Sequence, residues 1–138
     1  MSATDADILL KVRQWLNYGD EDLRLAMFAM DIVDCPPYRL AAYHAQQSAE
    51  KSLKAYLVFC RTDFPYTHNL SRLVELCQRL REWPDSLLDA EELTPYAITA
   101  RYPGEDRPVT RAEAQRAIEI AETTRQLICT ALVEKGFI

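Results

Sequence analysis

Between residues 38 and 56 the chain reads "YRLAAYHAQQSAEKSLKAY", a run rich in alanine that also carries Arg39, His44, Gln46, Gln47, Glu50, Lys51 and Lys54. His44, Gln47, Lys51 and Lys54 follow one another at steps of three, four and three, so on a helix they form one stripe, with Glu50 on its edge. Lysine presents a point charge to phosphate, and glutamine can both donate to and accept from a base edge. Two readings follow. The stripe is either a solvated face, with Glu50 and Lys54 as a helix ion pair of a few tenths of a kcal/mol, or a pocket for a phosphate or nucleotide. Periodicity is compatible with both.

Further residue types nearby extend the second reading. Arg39 and His44 have four residues between them. RNA cleavage through the ribose 2′-hydroxyl needs a base and a cation at the phosphate, residue types that His44 and Arg39 supply. His68, in "THNL", is either a local cap that fixes a loop or a second imidazole facing the His44 stripe. In "ARYPG", Arg101 either caps a helix C-terminus, where the dipole favours a cation, or reaches the Glu50 edge or a bound phosphate, and Tyr102 packs on the bundle. No carboxylate stands at ligand spacing beside either histidine, so no metal is assigned, and no cofactor is expected. The four cysteines, Cys35, Cys60, Cys77 and Cys129, are scattered, and they are expected to be buried or half-buried free thiols.

These groups need elements to hold them. Ile8, Val12, Trp15, Gly19, Leu23, Ala26, Met30 and Val33 mark one long amphipathic helix, opened by Thr4 and Asp7 as a capping box and ended by "CPP" at 35–37. Gly19 lies on the buried stripe and allows another backbone to approach. A second helix is expected over residues 38–60, with a small-residue stripe at Ala41, Ala45, Ser48, Ser52, Ala55 and Phe59. A third starts at the N-cap Asn69, with Leu70, Leu73, Leu76, Cys77 and Leu80 on its apolar face. Residues 83–109 hold four prolines and so only short helices, one of them starting at Pro95 after Thr94. Thr110 and Glu113 form the capping box of the last helix, which Gly136 stops.

With 138 residues, 49% of them hydrophobic, the chain is a single domain over 1–138 with an ordinary core. Three glycines against seven prolines point to an all-α fold: an up-and-down bundle of four to five helices with a proline-punctuated connector before the last. The net charge of −5 argues against a broad basic surface for duplex DNA or RNA. No apolar run is long enough to span a membrane, and the acidic N-terminus is wrong for a secretory signal, so a cytoplasmic protein is expected. Trp15, Tyr43, Tyr56, Phe59 and Tyr96 supply more aromatic surface than a small bundle hides, which suggests a homodimer.

Three blocks, "YHAQQSAEKSLKAYLV", "PYTHNLSRLVELC" and "LTPYAITARYPG", followed by "EAQRAIEIAE", resemble the HEPN domain in order and spacing over nearly the whole chain. The resemblance implies a helical bundle, commonly a homodimer, similar to the helical part of some aminoglycoside nucleotidyltransferases. It also implies one of two functions. The first is a nucleotide-binding or interaction module working with a small nucleotidyltransferase in a two-component, toxin-antitoxin-like system. The alternative is a metal-independent endoribonuclease acting on RNA. That branch places an arginine, four to six residues and a histidine near the start of its last core helix, whereas this chain has no histidine after His68. Arg39 and His44 have that branch's spacing, which makes them the catalytic candidates the resemblance implies, but they stand at the start of the second helix, so whether the protein is an enzyme stays open.

Overall fold

In the computed structural model, residues 4–97 and 107–137 are described. Four α-helices, α1 (Asp5–Met30), α2 (Tyr38–Phe59), α3 (Leu70–Gln78) and α4 (Arg111–Glu134), are joined by loops and by a three-ten segment, Asp85–Ala97, between α3 and α4. The chain is the expected all-α bundle, with no strand among the described residues. None of these helices is long and apolar enough to cross a membrane.

Helix ends follow local chemistry. The Thr4 hydroxyl accepts from the Asp7 N–H at 3.1 Å and the Asp7 carboxylate accepts from the Thr4 N–H, closing the capping box of α1. Asn69 caps α3 by accepting from the Ser71 N–H at 2.9 Å. At the end of α4, Gly136 takes a φ of +95°, the left-handed conformation glycine adopts without a Cβ penalty. The Phe137 N–H then reaches Leu132 O and the Gly136 N–H reaches Val133 O, the paired bonds of a Schellman turn.

Thr110 and Glu113 close the box that opens α4, and Arg107 clamps the Glu113 carboxylate with two bonds of 3.0 and 2.9 Å. The Arg107 guanidinium, then the Thr110 N–H and hydroxyl, hold this carboxyl down at about 2 from an ordinary 4.5. A depressed folded-state pKa means stability that is present above the unfolded value and lost as pH falls through the folded one. Wild type is therefore expected to lose stability more steeply than Glu113→Gln between pH 4.5 and pH 2. Urea melts of both proteins across that window measure it.

α2 is the central helix and touches α1, α3, α4 and the three-ten segment. Its small residues make that possible: Ala41, Ala42, Ala45, Ala49 and Ala55 are fully buried, with Ser48 and Ser52 beside them. A Cβ added at Gly19 would lie 3.3 Å from Ser48 O and 3.4 Å from Lys51 Cβ, so the absent side chain at Gly19 is what lets α1 lie against α2. Leu53, Tyr56 and Leu57 of α2 anchor the core together with Leu73, Val74, Leu93, Ile128 and Leu132.

Several sequence expectations need correction. α1 ends at Met30 rather than at "CPP"; Asp34 and Cys35 adopt left-handed backbone with φ of 62° and 50°, and the chain turns there before the prolines. Val33 therefore leaves the buried stripe and is 84% exposed. Leu80 lies past the end of α3 and is exposed. Pro95 sits inside the three-ten segment instead of starting a helix, because that tighter ladder already runs from Asp85. Cys35 is exposed, on the turn, whereas Cys60 and Cys129 are half-buried. Cys77 is buried, and burial pushes its thiol up to about 12. The aromatic argument for a dimer also changes: Tyr56 is wholly buried, and Trp15, Tyr43, Phe59 and Tyr96 are half-buried in the bundle itself.

Candidate functional site

The polar residues of α2 cover one arc. At about 100° per residue, Gln46, Glu50, Lys54, Gln47, Lys51 and His44 follow one another around roughly 160° of its circumference. All six are buried or half-buried. The solvated-face reading therefore fails: Glu50 is 3% exposed and Lys54 6%.

One edge of the arc is turned to α1. Asp22, itself buried, accepts from His44 Nδ1 at 2.8 Å and from Lys51 Nζ. An ionised carboxylate can only accept, so Nδ1 carries the proton in this contact and Nε2 is left for another partner. The Tyr43 ring meets the His44 imidazole edge-on, with centroids 5.1 Å apart. The close approach at Gly19 brings Asp22, one turn further along α1, to this edge.

The other edge is turned to the loop before α3. Glu50 gathers three donors: Lys54 Nζ at 3.0 Å, Gln46 Nε2 at 3.2 Å and His68 Nδ1 at 2.8 Å. Gln46 also donates to the His68 carbonyl at 3.3 Å, which ties the loop to the helix. The Lys54 ammonium lies 5.4 Å from the Trp15 ring centroid and 5.6 Å from that of Phe64, so its charge is held by one carboxylate and two aromatic faces. Gln47 extends this edge, donating to Gln46 Oε1 at 2.6 Å. The side chains that reach the surface are those of His44 (28% exposed), Lys51 (22%) and His68 (49%), with the highly exposed Tyr66 edge-on to the His68 ring.

The structure thus brings together His44, Gln47, Glu50, Lys51, Lys54 and His68. Arg39 is not part of this group: it is exposed at the second position of α2, and five residues of helix turn it about 140° away from His44. With Pro37, Tyr38, Pro108 and Val109 it lines a separate shallow groove. Arg101 and Tyr102 lie outside the described residues. Sequence reasoning left Asp22 and Tyr66 out altogether, and kept Gln46, one of the polar groups of the run, off the stripe. Asp22 had a signal, since it stands three residues after Gly19 and beside Leu23 on the buried stripe, a place where a carboxylate needs a partner. Among the described residues no three His, Cys, Asp or Glu side chains converge as they would around a metal ion.

Such a molecule belongs to the small up-and-down helical bundles that build polar sites on facing helices. The sequence pattern of the HEPN domain matches residues 12–132, and the chain belongs to the HEPN family. Among solved structures it is similar to TT1696 from Thermus thermophilus, with 27% identity, a TM-score of 0.70 and coverage of 87% of this chain and 97% of that one. It is similar as well to ST0689, described as an archaeal HEPN homologue, with 26% identity, a TM-score of 0.71 and coverage of 88% and 97%. No curated protein matches the chain.

Proposed function

We propose that the protein is a HEPN-type interaction module that binds a nucleotide-like ligand on the α2 arc, and that it works as a homodimer beside a small nucleotidyltransferase. The observation that carries this reading is the burial of two carboxylates, Asp22 and Glu50, each facing an imidazole and an ammonium on the same stretch of helix. Buried ion pairs are poor stabilisers, because desolvation offsets much of their attraction. An arrangement that holds two lysines and two histidines in fixed positions suits recognition better than folding. Lys51, His44 and His68 are the donors that a phosphate would meet, and the exposed Tyr66 ring beside His68 offers a base a stacking face. Glu50, Lys54 and Gln46 sit beneath them as positioning residues.

Isothermal titration with ATP, GTP and the corresponding monophosphates tests the reading. Saturable binding by at least one of them is expected, and no heat with any nucleotide at millimolar concentration overturns it.

One observation favours the alternative, an endoribonuclease: Asp22 orients His44 with Nε2 left over, as a general base requires. Against it stand the separation of Arg39 from His44 on the helix and the net charge of −5. Little or no cleavage is expected when structured and single-stranded RNA are incubated with wild type in chelator. Cleavage that disappears in His44→Ala would make His44 catalytic.

A further inference from the structure

The face of α1 turned away from the core carries a second periodic stripe. Tyr18, Glu21, Leu25 and Phe28, with Ile32 just past the helix end, follow at steps of three and four. Tyr18 is 51% exposed, Leu25 52% and Phe28 68%, and Ile32 and Val33 continue the patch. Leucine and phenylalanine in adjacent turns, at the spacing of a coiled-coil seam, are an apolar surface awaiting another helix. The flanking charges indicate which helix. Arg24 and Asp31 stand on the same side of the seam, seven residues apart, and neither side chain has an ion-pair partner among the described residues.

Two copies of α1 laid antiparallel across a two-fold axis, with Leu25 of each against Phe28 of the other, bring each Arg24 to the flanking position opposite Asp31 of the other copy. In an antiparallel seam, the residue preceding a core position on one helix faces the residue three beyond the opposing core position on the other. That rule pairs Arg24 with Asp31 twice, once on each side of the axis. The Leu25–Phe28 centre of the stripe and its Arg24 and Asp31 flank are thus complementary to themselves, as an isologous interface must be, while the same register sets Glu21 opposite Ile32 towards the rim.

From this geometry we infer that the outer face of α1 docks a second copy of the chain, antiparallel, through Leu25 and Phe28, with reciprocal Arg24 to Asp31 pairs. The inference rests on the homodimer in the reading above and names its surface.

Sedimentation equilibrium of the full chain tests it through charge reversal. Wild type is expected at twice the 15.9 kDa chain mass, and Phe28→Glu at the monomer mass. Arg24→Glu and Asp31→Arg each oppose like charges and are expected to weaken the dimer at least tenfold. An equimolar mixture of those two variants restores opposite charges at both pairs, so it is expected to return to the dimer mass. The double variant Arg24→Glu with Asp31→Arg is expected to dimerise alone. A monomeric wild type overturns both this inference and the homodimer. A dimer that ignores Phe28→Glu, or single variants that fail to recover on mixing, overturn the assigned surface and leave the homodimer standing. Because Arg24 and Asp31 are exposed, retained helical circular dichroism in each variant separates lost association from lost folding.

Discussion

Glu50→Ala lowers the free energy of unfolding by about 3–5 kcal/mol, the cost of leaving one partner of a buried ion pair uncompensated. The carboxylate is 4% exposed and accepts from Lys54, Gln46 and His68. Without it the Lys54 ammonium, whose side chain is 7% exposed, keeps only the Trp15 and Phe64 rings, and their attraction is worth about 0.5–2 kcal/mol. The loop before α3 also loses the imidazole anchor at His68. Removing both charges separates the terms: Glu50→Ala combined with Lys54→Met recovers a large part of the loss, because no unpaired charge remains inside. Urea denaturation followed by circular dichroism measures both. A loss below about 1 kcal/mol for Glu50→Ala, the range of an exposed pair, would contradict the burial of the arc.

Lys51→Ala is expected to weaken nucleotide binding by about 10- to 150-fold while leaving the fold intact, since a hydrogen bond to a charged group is worth about 1.5–3 kcal/mol. The position allows this separation. Lys51 is the more exposed of the two lysines, and after its removal Asp22 still keeps the His44 imidazole. His44→Ala should act in the same direction. Lys54→Ala, by contrast, loses stability first, because it uncovers Glu50. Titration calorimetry on the variants, with melts run alongside, checks the order. Equal affinity in wild type and Lys51→Ala would remove the ammonium from the site.

The helices were legible because their signals are local. Both capping boxes, the Asn69 cap and the Gly136 stop depend on residues within five positions of one another, and each forms as the spacing predicts. The close approach at Gly19 could also be read, since a glycine on an apolar stripe has few other uses. The character of the α2 stripe could not. Whether Glu50 and Lys54 face water depends on Trp15, Phe64 and His68, which arrive from α1 and from a loop, and no periodicity within α2 records them. Asp22 was missed for the same reason: it lies 22 residues from His44 and meets it only once α1 packs on α2. The end of α1 was not legible, because no glycine or proline marks Met30, and the left-handed backbone of Asp34 and Cys35 comes only after the helix has ended.

The chain has two histidines, so the arc can be watched without ambiguity. In long-range proton–nitrogen NMR spectra of the imidazoles, stepwise addition of a nucleoside triphosphate is expected to shift the side-chain signals of both His44 and His68 along one saturation curve, and Lys51→Ala is expected to flatten it. Imidazole signals that stay fixed in wild type while the nucleotide is raised to millimolar concentration would contradict the claim that the α2 arc is a binding site.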